Sequence, residues 1–257
     1  KKKFKHQTKQ WISDIRKISK NKFDIIIISP GIDILNCKLS KFLKKNKSKI
    51  FTDLDVFYSF NKNKSITITG TNGKSTTAKI LHDILSDQNY DCRLIGNIGN
   101  PALSEKKITK KTVFVIEASS YQLDYSQLFT SKYSAILNIS PDHIERHRNL
   151  KNYINAKFKL LNSQSRDSIA FVKKNDLLIN KKLNSKKYNP KIIRVDLKKA
   201  NKIIKELKNK YFLSAGNLEN LSFILQISET LNLNIKKLIK TLNSFKGLKY
   251  RQQIIFE

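Results

Sequence analysis

The segment Gly70-Thr71-Asn72-Gly73-Lys74-Ser75-Thr76-Thr77 constrains this chain more than any other. It follows Ser65-Ile66-Thr67-Ile68-Thr69, a β-branched run that reads as a buried strand, and it leads into residues 78–87, where Ile80, Leu81, Ile84 and Leu85 mark one helix face. Strand, glycine loop, Lys-Ser and helix form the arrangement that cradles a nucleotide's phosphates. The glycines let the backbone approach closely, and the loop N–H groups and helix N-terminus favour negative charge. Lys74 suits the terminal phosphates, and a Ser75 hydroxyl suits Mg²⁺. The common P-loop needs a glycine at position 68, where this chain has Ile68, so the loop is the shorter Gly-x-x-Gly-Lys-Ser form.

Strands are expected at 23–29, 49–53, 112–117, 133–139, 168–172 and 192–196, with helices at 39–45, 150–161 and 218–230. This alternation predicts an α/β fold with a mostly parallel central sheet. The polar stretch 61–64 is the expected linker between a first unit, 1–62, and a central unit, 63–246. The lysine-rich stretches 181–191 and 198–210 read as exposed surface. With 257 residues and 39% hydrophobic content, the chain has enough apolar side chains for globular cores. No run approaches the roughly 20 apolar residues of a membrane span. Two cysteines without CxxC spacing fit a reduced, cytoplasmic setting. The net charge of +31 is almost all lysine, with arginine scarce and no aromatic interleaving, so it reads as a solvated basic surface and not a nucleic-acid site. No methionine occurs, even at position 1, which suggests a fragment.

Glu117 closes the strand at 112–117, where parallel sheets bind ligands, although a lone glutamate there is more often a cap or an ion-pair partner. His143 follows the next strand, beside the phosphate loop's strand, and takes a metal or substrate role in that company. His147 and His82 read as surface residues. Gly96-Asn97-Ile98-Gly99 is by itself a turn, Lys157 a solvated lysine, and Asn217 and Asn220 two residues on one helix face.

In order, these segments resemble the Mur ligases of peptidoglycan precursor synthesis, and their D-glutamate-adding branch in particular. The carriers are Ser29-Pro30-Gly31-Ile32, the loop from Gly70, GNIGNPAL from Gly96, IEASSYQL from Ile116, LNISPDHIERH from Leu137, Tyr153-x-x-Ala156-Lys157, Gly216-Asn217-Leu218-Glu219-Asn220 and Gly247-Leu248-Lys249-Tyr250-Arg251. The resemblance implies a P-loop-like ATP-binding domain preceded by a partial Rossmann-like α/β domain, with 247–257 beginning a hinge. It assigns Gly70, Thr71, Asn72, Gly73, Lys74, Ser75 and Thr76 to the ATP phosphates, and Asn217, Asn220 and Arg251 to the nucleotide's far side. Ser75 would hold one Mg²⁺, and Glu117, His143 and Lys157 a second, Lys157 as a carbamate. Ser29, Gly31, Asn97, Ser119 and Gln122 would contact UDP-N-acetylmuramoyl-L-alanine. Lys74, His143 and Lys157 would carry the catalysis.

The implied enzyme is a monomeric, cytoplasmic ATP-dependent ligase that joins D-glutamate through an acyl phosphate, without a nucleic-acid or membrane partner. Another Mur ligase, a folylpolyglutamate synthase-like enzyme or an inactive nucleotide-binding fragment are the alternatives. Two departures from the family pattern stand out: Gly216 where a histidine is expected, and Lys249-Tyr250 where Pro-His is expected. By the resemblance, a third domain and the first domain's opening glycine loop would be missing from these residues, so the 257-residue chain alone is not expected to complete ligation.

Overall fold

The structure is a computed structural model that describes residues 14–20 and 22–248. Arg251 and the hinge stretch from residue 249 onward lie outside the described residues. The elements in chain order begin with α1 (Ile15–Lys20), β1 (Ile26–Ile27), α2 (Ser40–Lys45), β2 (Ile50–Phe51), α3 (Asp53–Phe60) and β3 (Ser65–Thr69). Next come α4 (Lys74–Asp87), β4 (Cys92–Gly96), β5 (Val113–Glu117), α5 (Ser120–Tyr125), β6 (Tyr133–Ile136) and α6 (Ile144–His147). The series ends with α7 (Leu150–Asn162), β7 (Ile169–Lys173), α8 (Leu177–Asn184), β8 (Lys191–Val195), α9 (Ala215–Thr230) and α10 (Ile235–Ser244).

Six strands form one sheet in the order β4-β5-β3-β6-β7-β8, and every pairing is parallel. Parallel strands need crossovers, and helices cover both faces. The pleat sends alternate side chains to opposite sides. Val113 and Val115 join Ile66, Ile68 and the α4, α9 and α10 residues Leu81, Ile224 and Leu238 in one core. Phe114 and Ile116 join Leu54, Leu123, Phe158 and Ile179 in the other. The central strand β3 therefore lies between two dry layers, and its neighbours β5 and β6 are reached by connections that run to opposite sides. The crevice at the carboxyl ends of β5, β3 and β6 is where such a topology places a ligand.

A second, two-stranded sheet pairs β1 with β2 in parallel over Ile28, Ile34, Leu43 and Ile50. The strands expected at 23–29 and 49–53 shrink to two residues each. Among the described residues β1 has a partner on one side only, and Ile25 and Ile27 are 62% and 57% exposed, so the ladder gains little from extending. The strand expected at 133–139 stops at Ile136, because residues 137–140 turn aside to hold the phosphate loop. Leu137 N–H donates to the Thr69 carbonyl, Thr71 N–H to the Asn138 carbonyl, and Ser140 N–H to Thr71 Oγ1, each at 3.0 Å.

Among the elements that the sequence reading lacks are the edge strand β4, the helix α3 and the helices α1, α5, α6, α8 and α10. Although it precedes the polar stretch 61–64, α3 packs on the central sheet, with Phe57 edge-to-face against Phe114 at 4.9 Å. The lysine-rich stretches are not wholly surface: Leu183, Ala200 and Ile203 between the lysines are buried. Among the described residues no helix is long and apolar enough to cross a membrane.

Candidate functional site

The phosphate loop runs from β3 into α4, and Gly73 is the residue preceding that helix. Its φ of 80° lies in the left-handed region, which favours glycine. Asn220 Oδ1 stands where a Cβ would be, 2.0 Å from its ideal position, so α9 presses directly on the loop. Lys74 Nζ donates to the Thr71 carbonyl at 2.8 Å, and the Ser75 side chain is buried at the first turn of α4.

Two cavities flank this loop. One, of about 580 Å³, is lined by Asn72, Gly73, Ser75 and Thr76 and, across from them, by Gly216, Asn217 and Asn220 on α9. The expected asparagine pair is thus brought to the loop, both residues buried, with Asn220 Nδ2 3.5 Å from Asn217 Oδ1. Asn138, Ile139, Ser140, Lys173, Asp176 and Glu219 complete the lining. The second cavity, of about 530 Å³, is lined by Gly31, Lys74, Asn97, Glu117, Ser119, Gln122, His143 and Lys157. Residues singled out by sequence, from strand ends, helices and the first unit, therefore meet Lys74 in one space. Ser29 is not among the residues lining that cavity; it is exposed, and its carbonyl accepts the Ile32 N–H at 3.0 Å.

Glu117 is fully buried. Its Oε1 accepts from Asn97 Nδ2 at 3.0 Å, and its Oε2 has no hydrogen-bond partner. The turn at Gly96 makes this approach possible: its φ is 103°, and a Cβ there would fall 2.3 Å from the Glu117 carbonyl oxygen. The second glycine loop is therefore part of the site and not an isolated turn. Lys157, read from composition alone as solvated, is buried: its Nζ donates to the Gly70 carbonyl at 2.7 Å and lies 4.5 Å from the Tyr153 ring centre. Burial, and after it the nearby Lys74 ammonium, push the Lys157 pKa down to about 7. Ser119 caps α5, and its capping partner Gln122 accepts from Ser119 N–H at 3.1 Å and donates to Asp53 at 3.4 Å.

His143 precedes α6 with φ 52°, half-exposed, its ring 5.0 Å from that of Tyr121 and its Nε2 3.3 Å from Asp142 Oδ2. His147 corrects the sequence reading. It is 4% exposed, with Nε2 3.0 Å from Ser120 Oγ, and burial lowers its pKa. The short α6 folds back against α5 and carries the ring inward.

A divalent cation takes oxygen ligands. Among the described residues no three His, Cys, Asp or Glu side chains form a metal-binding cluster. Glu117 supplies one unpartnered buried oxygen, and a lysine ammonium repels a cation. The donor set fits Mg²⁺ only if Lys157 is carried as an oxygen donor, which its depressed basicity favours chemically.

Sequence reasoning missed two connections. Arg146 on α6 pairs with Asp33 at 2.9 Å and donates to the Pro30 carbonyl at 3.2 Å, while Arg148 pairs with the same Asp33 at 3.1 Å, so the 30–33 loop is docked beside His143. Asn138 and Glu219 form a bridge from β6 to α9, with Asn138 Nδ2 2.6 Å from Glu219 Oε1. Arg146, Asn138 and Glu219 lie inside motifs the sequence offered, while Asp33 and Arg148 lie one residue beyond them. A polar side chain just past a parallel strand was the available signal for Asn138.

An all-parallel sheet with a Gly-x-x-Gly-Lys-Ser loop at its switch point, facing one cavity on each side, defines a nucleotide-binding α/β protein of the P-loop-like class. A model of the Mur ligase middle domain matches residues 68–237, and the chain belongs to the Mur ligase family. It is 33% identical to the UDP-N-acetylmuramoylalanine–D-glutamate ligase of Rickettsia bellii, over 96% of this chain and 59% of that protein. It is 36% identical to the protein of the same name from Francisella tularensis subsp. mediasiatica, over 91% of this chain and 55% of that protein. The chain thus spans somewhat over half the length of these curated relatives. The crystal structure of UDP-N-acetylmuramate:L-alanyl-gamma-D-glutamyl-meso-diaminopimelate ligase from Neisseria meningitides superposes with a TM-score of 0.62 at 13% identity, covering 92% of this chain and 83% of that one, which shows a shared fold.

Proposed function

We propose that the chain forms the ATP- and UDP-sugar-binding part of a ligase that adds D-glutamate to UDP-N-acetylmuramoyl-L-alanine in peptidoglycan precursor synthesis. The observation that carries the reading is the phosphate loop standing as a wall between two cavities, with Gly73, Ser75 and Thr76 on one side and Lys74 on the other. The names of the curated relatives support the choice of amino acid. The division of labour follows: 63–246 for ATP, with α3 packed on it from the first unit, and 1–62 for part of the UDP-sugar.

In this reading residues 70–76 hold the ATP phosphates, with Asn217, Asn220 and Arg251 toward the nucleoside. Ser29, Gly31, Asn97, Ser119 and Gln122 hold the UDP-sugar. A substrate carboxylate oxygen attacks the terminal phosphorus, the bond to ADP breaks, and an acyl phosphate forms. The amine of D-glutamate then attacks the acyl carbon, the bond to phosphate breaks, and the amine loses a proton. Two anions must meet for the first step, so Lys74 acts by neutralising charge where it develops, and the loop by keeping donor and acceptor in line. Two Mg²⁺ ions, one near Ser75 and one near Glu117, His143 and a carbamylated Lys157, would supply further charge neutralisation when bound. The reading includes a cytoplasmic monomer with neither a nucleic-acid nor a membrane partner.

The test has two arms. Calorimetry on the 257-residue chain should detect binding of ATP and of UDP-N-acetylmuramoyl-L-alanine, without completed ligation by that chain alone. A polypeptide of the relatives' full length carrying this sequence should form ADP with D-glutamate, and not with L-alanine, L-glutamate or meso-diaminopimelate. Absence of ATP binding, or preference for another amino acid, would overturn the reading.

A further inference from the structure

The phosphate loop is held from outside by a line of three side chains. Asn138 Oδ1 accepts from the N–H groups of Thr71 and Asn72, at 3.1 and 2.8 Å. Asn138 Nδ2 donates to Glu219 Oε1 at 2.6 Å, and Glu219 Oε2 accepts from Lys173 Nζ at 2.6 Å. The three residues come from the ends of β6 and β7 and from α9, where Glu219 lies between Asn217 and Asn220. All three line the cavity that Gly73, Ser75 and Thr76 also line.

The chemistry of this line has a direction. An asparagine amide has one acceptor end and one donor end. Two backbone N–H donors fix the acceptor toward the loop, and the donor end serves the carboxylate of Glu219 at 2.6 Å and the Asn72 carbonyl at 3.3 Å. That carboxylate is a negative charge on the wall of a cavity read as taking a polyanion, and its side chain is only 14% exposed. The Lys173 ammonium offsets that charge and fixes which oxygen faces Asn138. Loop N–H groups turned to Asn138 are not available to phosphate, so the loop's remaining donors are those left pointing into the cavity. The loop's shape is in this way tied to the position of α9, which also brings Asn220 against Gly73.

The geometry points to Asn138 as a positioning residue for the phosphate loop, with its amide oriented by Glu219 and Lys173, so that nucleotide affinity depends on the polarity of the Asn138–Glu219 hydrogen bond. This rests on the reading of that cavity as the ATP site.

The test exploits the direction of the bond. Asn138→Asp keeps an acceptor for the loop but sets a carboxylate against Glu219 and gives up the longer donation to the Asn72 carbonyl, a loss the double variant shares. Asn138 and Lys173 donate to different oxygens of Glu219, so Glu219→Gln must turn its NH₂ toward one of these two donors. The double variant N138D/E219Q restores the contact with donor and acceptor exchanged, because the new amide on α9 donates to the new carboxylate after β6 and accepts from Lys173. ATP affinity by calorimetry, with Mg²⁺ present, and the melting temperature are measured for all four proteins. Each single variant should weaken ATP binding about tenfold or more, the scale of a mispaired buried polar group. The double variant should return to within about threefold of the parent. A purely structural bond would lower the melting temperature and leave the affinity of the folded protein unmoved. Asn138→Ala, which removes the amide without adding charge, should also weaken binding about tenfold and gives the answer if N138D does not fold. Single variants that bind ATP like the parent, or a double variant as weak as the two losses combined, would overturn the relay. Failure of the unaltered chain to bind ATP would instead remove the nucleotide site itself, and the relay with it.

Discussion

Asn220 Oδ1 occupies the place where a side chain on Gly73 would begin, 2.0 Å from the ideal Cβ position. The contact joins two segments that the chain keeps far apart, and it makes the loop's second glycine a requirement of packing as well as of backbone angle. Gly73→Ala should therefore fail twice, by strain at φ 80° and by collision with Asn220. The expected result is a loss of roughly 1–3 kcal/mol in stability, read by urea unfolding, and a fall in ATP affinity of tenfold or more. Asn220→Ala in the same background relieves only the collision, so a partial recovery of stability would separate the two causes. Unchanged stability and ATP binding in Gly73→Ala would refute the packing argument.

The reason the loop was legible and its supports were not is physical. β3 and the start of α4 are encoded locally, by a β-branched run, a glycine pair and the helix periodicity behind them. β4 is an edge strand whose residues are mostly half-buried, so CRLIG carries no clear alternation and its Arg93 and Cys92 read as loop. α3 follows directly on a strand-like run, and its apolar residues crowd several faces; the Thr52–Asp55 capping box was the one local signal of its start. At the site, Glu117 was legible because it closes a strand, and His143 because it lies in the segment that follows one. Lys157 came from the resemblance alone, and nothing local announces its burial. Asn138 and Glu219 are 81 positions apart. Such pairings exist only once the sheet has formed, and so does the burial of His147 by the return of α6.

Asp55 anchors the join between α3 and the central sheet. Its Oδ1 accepts from Ser126 Oγ at 2.7 Å and from the N–H groups of Gln127, Leu128 and Phe129 at 3.0, 2.8 and 2.9 Å, while Oδ2 accepts from Thr52 N–H at 2.9 Å. Asp55→Ala strands those donors in a buried place and should cost about 3 kcal/mol or more, lowering the melting temperature by about 6–12 °C for a domain of this size. Asp55→Asn keeps a carbonyl and should cost less. ATP affinity of the folded fraction should stay level, since none of these atoms lines either cavity. A melting point within about 2 °C of the parent for Asp55→Ala would rule out the anchor.

Gly216 sits in the first turn of α9, where nothing lies within 4 Å of an added Cβ. Glycine in a helix costs backbone entropy that alanine does not. Gly216→Ala should therefore stabilise the chain by about 0.5–1 kcal/mol, and leave ATP affinity within about twofold unless the nucleotide occupies the part of the cavity that Gly216 lines. Thermal unfolding reads the first and calorimetry the second. A drop in affinity beyond that would mean that the nucleoside fills the space above Gly216.

Lys157 gives the site its pH dependence. Burial, and then Lys74, hold its folded pKa near 7, whereas the unfolded chain has the ordinary lysine value of about 10.5. Between those limits the unfolded state binds more protons than the folded state, so this residue makes stability rise with pH from about 7 toward 10.5 and depresses it below 7. Lys157→Met should flatten that slope in melting temperatures measured in CO₂-free buffer. The same neutral amine is the form that adds CO₂, giving a carbamate and releasing one proton. With ¹³C-labelled bicarbonate, a carbamate signal should grow in NMR spectra as pH rises through about 7 and be absent from Lys157→Met. An ordinary lysine at pH 7.5 is only about 0.1% neutral, so labelling at that pH without prior denaturation would mark this residue selectively. A flat stability profile across the window in the parent, or equal labelling of the two proteins, would show that the burial of Lys157 does not set its protonation.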